Sequence, residues 1–164
     1  MNPPQANQES SPETQRAYRA LRRLELFGGI SNEDLWRCVV LGGVERNIYQ
    51  RDVFVADPGG LAESNSAPRV MVVAAGQIAV AVFDPNKIAE RKRAQDEFAR
   101  MSEEERNDLS ALQPPPLSRV ARKNLATFMR GDLFNSQALV QGSTGDVAFF
   151  AVEPSVVVSI SHEA

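Results

Sequence analysis

Residues 130–151, RGDLFNSQALVQGSTGDVAFFA, hold the side chains closest in type and spacing to a ligand loop. A Gly131-Asp132 turn and Phe134 lead into a polar helix start, Asn135-Ser136-Gln137. The Ala138-Leu139 pair follows, and a Gly-rich stretch around Gly145 returns the chain to an apolar run. Backbone N–H groups at such a helix start would receive an anion. A gripped phosphate would also need a guanidinium or ammonium partner, and no Arg or Lys follows Arg130. The segment is therefore either a polar cradle without a counter-charge or a helix capped by Asn135 or Ser136.

Other chemistries are harder to assemble. His162 is the only histidine and Cys38 the only cysteine, so neither a His-cluster metal site nor an internal disulfide can be built. A Ser-His-Asp arrangement would depend on that one near-terminal imidazole. Glu103, Glu104 and Glu105 read as the first turn of a helix, where acids favour the dipole. Cys38 is expected to pack as a small hydrophobe on a helix. No cofactor, metal or catalytic residue is expected, and the chain reads as a non-enzyme.

A length of 164 residues suits one domain with its own core, and an apolar share of 43% is ordinary for a globular chain. A net charge of −3 argues against a nucleic-acid binder working by bulk electrostatics. The basic clusters Arg16, Arg19, Arg22 and Arg23; Arg91, Lys92 and Arg93; and Arg119, Arg122 and Lys123 lack interleaved aromatics and read as solvated faces. No apolar run is long enough to span a membrane, and the N-terminus has no apolar signal core; a cytoplasmic location is expected.

The elements that must position these residues are legible as a sequence of caps and periodicities. Residues 1–11 are polar, rich in Pro and Gln, and expected to be disordered. Ser11-Pro12-Glu13 opens a helix carrying Ala17, Tyr18, Leu21 and Leu24, and Ser31 with Asp34 opens a second through Leu35, Trp36, Val39 and Val40. Trp36 is expected in the core. A β pattern follows: residues 48–55 as one strand, then 70–75 and 78–83 separated by Gly76-Gln77. These near-continuous apolar runs suit strands covered on both faces. Asp84-Pro85 starts a charged helical stretch with Ala94, Phe98 and Met101 as a narrow apolar stripe, and Ser102 with Glu105 restarts it towards Leu109 and Leu112. Pro114-Pro115-Pro116 ends it, and strands resume at Val120. The Phe149-Phe150 pair must face opposite sides of its strand, one ring in the core and the other either exposed or covering a partner.

This order of elements, two short helices, a β series and a short helix in a Gly-rich loop, resembles the cyclic nucleotide-binding domain family. The residues that carry the resemblance are Leu26-Phe27-Gly28 with Ser31, Glu33 and Leu35; Val53-Phe54; the turn at residues 57–60; the strand at 70–75 closed by Gly76; Gly131-Asp132-Leu133-Phe134; and Ala138-Leu139. The resemblance implies a mainly β fold with flanking helices, a jelly-roll β-barrel of cyclic nucleotide-binding-domain type. It would be a single domain over residues 12–164, interrupted by a helical insertion at residues 84–116. It also implies a ligand pocket at Gly131, Phe134, Asn135, Ser136, Gln137, Ala138 and Gly145. The family's frame puts Asn135 where it has a close-approach Gly, Ser136 where it has a ribose-binding Glu, and Gly145 near its phosphate-binding Arg. Asp146 beside that position would repel a phosphate.

The pocket is therefore expected to be vestigial, and function is expected in the insertion. Its stripe of Ala94, Phe98, Met101 and Leu109 fits docking on a protein partner, against the alternatives of disorder or packing back on the barrel. The expected role is a protein-interaction or accessory module in a larger complex, with a homo-oligomer possible. The alternative is a regulatory domain that binds a cyclic nucleotide or another small anion through non-standard contacts.

Overall fold

The computed structural model describes residues 11–41, 43–56, 69–108, 113–135 and 147–161. Helix α1 (Pro12–Arg22) and helix α2 (Asn32–Leu41) precede the strands β1 (Glu45–Tyr49), β2 (Phe54–Ala56), β3 (Arg69–Ala75) and β4 (Gln77–Phe83). Helices α3 (Pro85–Arg100), α4 (Glu103–Asp108) and α5 (Leu117–Val120) follow, then strands β5 (Ala121–Met129), β6 (Leu133–Asn135), β7 (Val147–Ala151) and β8 (Ser155–Ser161). Four of the helices, α1 to α4, begin where their local chemistry supplies an acceptor. The Ser11 hydroxyl accepts from Thr14 N–H at 3.2 Å, Ser31 from Asp34 N–H at 3.1 Å, Asp84 from Asn86 N–H at 2.9 Å, and Ser102 from Glu105 N–H at 3.3 Å. These bonds satisfy donors that a helix leaves orphaned at its first turn.

The strands pair antiparallel in two four-stranded sheets, ordered β1-β8-β3-β6 and β2-β7-β4-β5. Chain neighbours other than β4 and β5 are split between the sheets, in the double Greek-key order of eight strands. The fold is a jelly roll.

Alternation along the strands divides the core into three layers. Val73, Ile78, Val80, Phe134, Val147, Phe149, Ala151 and Val157 fill the space between the sheets. Their neighbours Val72 and Val158 face outward from the first sheet and are covered by Ala17, Tyr18, Leu21, Leu24, Leu35, Trp36 and Val39 of the N-terminal helices. From the second sheet Ala79, Ala81, Phe83, Ala148 and Phe150 face outward and are covered by Leu117, Val120 and the half-buried Ile88. The strands β3, β4, β7 and β8 are thus covered on both faces, which is why they read as near-continuous apolar runs, whereas β1 and β5 stay largely exposed.

Three expectations are revised. The stretch 48–55 is two strands, β1 and β2, in different sheets, because Asp52 turns the chain with a left-handed φ of +69°. Asp and Asn adopt that region more readily than most residues. Cys38 is exposed, since α2 buries the arc of Leu35, Trp36 and Val39 and turns Cys38 away from it. Phe149 and Phe150 are both buried, at 0% and 2% exposure, because the chain returning from the insertion covers the second ring.

Candidate functional site

The Gly131-Asp132 turn is explained by backbone mechanics. Gly131 has φ +95°, its N–H donates to Val73 O at 2.8 Å, and the Asp132 carboxylate accepts from Met129 N–H at 2.7 Å. The turn thereby joins β5 to β6 and ties both to β3. Phe134 does not point into a cavity. Its ring stacks between Phe128 at 5.0 Å and Phe149 at 5.1 Å, at 4% exposure in the inter-sheet core. Asn135 ends β6, pairing with Val70. Ser136, Gln137, Ala138 and Gly145 lie outside the described residues, as does the expected short helix.

The insertion has a base and an arm. At the base, Ile88 joins the outer core layer, and Arg91 donates through Nε to Pro115 O at 2.9 Å and through Nη2 to Asp52 Oδ2 at 3.3 Å. The other oxygen of Asp52 accepts from Leu117 N–H at 2.6 Å, so one carboxylate holds the outgoing helix and the start of α5 together. That N–H sits at the first position of α5, whose cap, Pro116, supplies no side-chain acceptor. A cleft of about 340 Å³ remains between α3 and α5, lined by Lys87, Glu90, Ala94 and Arg119 among others.

No residue of α3 is buried, although its 16 residues run to about 24 Å. Ala94, Phe98 and Met101 are half-buried along one stripe. Arg106 of α4 folds back over it, donating to Met101 O at 2.9 Å and Ala99 O at 3.0 Å, with its guanidinium 5.9 Å from the Phe98 ring centre. Arg106 thereby supplies donors to carbonyls at the C-terminal end of α3, a common role for a cation there. Leu109 lies outside the described residues.

A second cleft was not legible as a site. Arg16 and Arg19 of α1, its C-cap Arg23, Arg46 of β1 and Arg130 of the β5–β6 turn line a cavity of about 380 Å³ together with Ala20, Ala74, Ala75 and Val156. The helical spacing of the first three was visible in the sequence. Arg46 and Arg130 stand alone there and gave no signal. Among the described residues, no three or more His, Cys, Asp or Glu side chains cluster as a metal site, and no helix is long and apolar enough to cross a membrane.

No protein-family model and no curated protein matches this chain. Several solved structures are similar to it at low identity. One is the regulatory subunit of a cAMP-independent protein kinase A from Trypanosoma cruzi bound to guanosine, with 8% identity and a TM-score of 0.49 over 91% of this chain. The chain spans 39% of that protein's length. The sensor domain of the transcriptional regulator DNR from Pseudomonas aeruginosa is similar at 12% identity and TM-score 0.48, over 92% of this chain and 74% of that one. A cyclic nucleotide-binding-like protein from Brucella abortus is similar at 16% identity and TM-score 0.45, over 90% and 92% of the two chains.

Proposed function

We propose that this chain is a non-enzymatic protein-interaction module, one jelly-roll domain over residues 12–164 that presents an inserted helical arm to a partner in a larger assembly. The observation that carries the reading is the stripe of Ala94 and Phe98, continued by Met101 at the C-cap, on a helix with no buried residue that is anchored at its start through Ile88 and Arg91. An isolated helix of this length is marginal in water, so the anchored base and the Arg106 contacts supply the order it has. The stripe then offers an apolar strip flanked by charge, the pattern of a helix that docks in a groove. Leu109 would extend the strip.

Deleting residues 84–116 would also disturb the scaffold, because Ile88 packs on the outer core layer that holds Phe150 and Arg91 pairs with Asp52. The better variant is Phe98→Glu with Met101→Glu, which leaves Ile88 and Arg91 in place. In an extract of the source cell the wild-type chain should migrate in a complex well above its own 18.0 kDa. The variant, with an unchanged circular dichroism spectrum, should be released from it. A wild-type chain that migrates as a monomer, or a variant that keeps every companion, refutes the reading.

A further inference from the structure

The geometry points to a binding site for a compact multivalent phosphate in the cleft between α1 and the first sheet, separate from the 130–151 loop and from the arm. Helical spacing puts Arg16, Arg19 and Arg23 on one side of α1, beside the buried face of Ala17, Leu21 and Leu24 that seats the helix on the sheet. Arg46 enters from β1. Arg130 enters from the far end of β5, where its Nη2 donates to Arg23 O at 3.3 Å. Five arginines from three separate segments thus line one concavity of about 380 Å³, within the size range of small-ligand sites.

The charge balance in the cleft is unusual for a chain whose net charge is −3. Among the described residues, only Arg16 of the five has a carboxylate partner, Glu13 at 2.8 Å. Arg22, on the same helix, is different in kind. Its Nη1 donates to Phe27 O at 3.1 Å and Ile30 O at 2.9 Å, which fixes the chain after α1. The C-terminal end of α1 contributes a negative pole equivalent to about half an elementary charge, which favours cations nearby. That half-charge is small against the four guanidinium groups left without a carboxylate among the described residues. Like charges held around one cavity repel, and an anion that enters it relieves the repulsion. Arginine forks match phosphate oxygens bidentately, and several forks at different angles suit several phosphate groups rather than one. The alanine and valine floor leaves room for them.

The site is tested by calorimetry on the full chain, with inorganic tripolyphosphate, inorganic phosphate, a DNA duplex, and vesicles carrying phosphatidylinositol bisphosphate as probes. Tripolyphosphate should bind one to one, more tightly than phosphate, and weaken as salt rises from about 0.05 to 0.5 M. Arg19→Gln with Arg46→Gln should weaken it at least tenfold, roughly the effect of losing one charge-assisted bond. Arg19→Lys with Arg46→Lys should fall between, keeping charge without the fork. Arg37→Gln, on α2 and outside the cleft, should leave binding unchanged. Binding of the vesicles with the same dependence on Arg19 and Arg46 also supports the site and makes a lipid headgroup its source of phosphate. No saturable binding of tripolyphosphate or vesicles, equal affinity for phosphate and tripolyphosphate, or indifference to Arg19 and Arg46 overturns the proposal. So does binding of the duplex alone, which would make this an extended polyanion surface.

Discussion

Replacing Asp52 with alanine should destabilise the chain by about 3 kcal/mol, although Asp52 belongs to no strand or helix. Three contributions lead to that figure. The carboxylate accepts from Leu117 N–H at 2.6 Å, and a charged acceptor on a half-buried helix N–H is worth about 1.5 kcal/mol. Its ion pair with Arg91 at 3.3 Å has side chains 27% and 11% exposed, and is worth about 0.5–1 kcal/mol. Alanine at φ +69° costs a further ~1 kcal/mol, because its Cβ crowds the backbone without a polar side chain to compensate.

These parts separate by substitution. Asp52→Gly loses both contacts and escapes the left-handed cost, so about 2 kcal/mol is expected. Asp52→Asn keeps an acceptor and tolerates the conformation, and loses only the ion pair, for about 1 kcal/mol. Urea unfolding followed by circular dichroism and by the fluorescence of Trp36, the only tryptophan, would read the series. For a chain of this size 3 kcal/mol corresponds to a fall in Tm of about 6–12 °C. The order alanine, glycine, asparagine is the signature. All three variants within about 0.5 kcal/mol of wild type would show that Asp52 does not join the insertion to the sheets, and an asparagine variant as unstable as alanine would refute the share given to the Leu117 bond and the left-handed backbone.

Phe150→Ala should cost about 3–5 kcal/mol by urea unfolding, since it empties a fully covered site against Phe83 at 5.8 Å; a surface-like cost below 1 kcal/mol would mean that α5 does not seal that face. Tyr49 is half-buried, and burial first and the Glu45 carboxylate second hold its phenol above the usual value near 10. The folded state therefore retains that proton longer than the unfolded chain. The advantage is complete below about pH 10 and is lost as pH rises towards the folded pKa. The stability difference between wild type and Tyr49→Phe should shift against wild type above pH 10, and a difference flat across that range would contradict the burial.

What the sequence displayed clearly was local. Four helix starts were legible because a cap and the N–H it serves lie two or three residues apart, so the chemistry is contiguous in the chain. The two-faced burial of β3 and β4 was legible because it removes polar alternation from the strand itself. The turn at Asp52 was hidden because its stabilising partners are 39 and 65 residues away, and only the short polar stretch Gln50-Arg51-Asp52 interrupts an otherwise strand-like run. Phe150 was undecidable for the same reason: whether a strand's second face is wet depends on Leu117 and Val120, which reach it from another element. In the arginine cleft, the spacing of Arg16, Arg19 and Arg23 fits an ordinary solvated face equally well. Only the placement of Arg46 and Arg130 beside them makes a concavity.

The layering also determines how the two outer faces can be separated by experiment. The arginine cleft lies on the helix-covered side of the first sheet, and the arm leaves from the covered side of the second. Between them stand two sheets packed about 10 Å apart, so substitutions at Arg19 or Arg46 and at Phe98 or Met101 share no neighbour and should act additively. A double variant that lost more than the two singles together would require a path through the inter-sheet core. Phe128, Phe134 and Phe149 form the rigid stack there, and Phe134 follows directly on the turn that carries Arg130. Additivity would make the cleft and the arm independent uses of one scaffold. Strong coupling would make the aromatic stack the element that joins an anion to a partner.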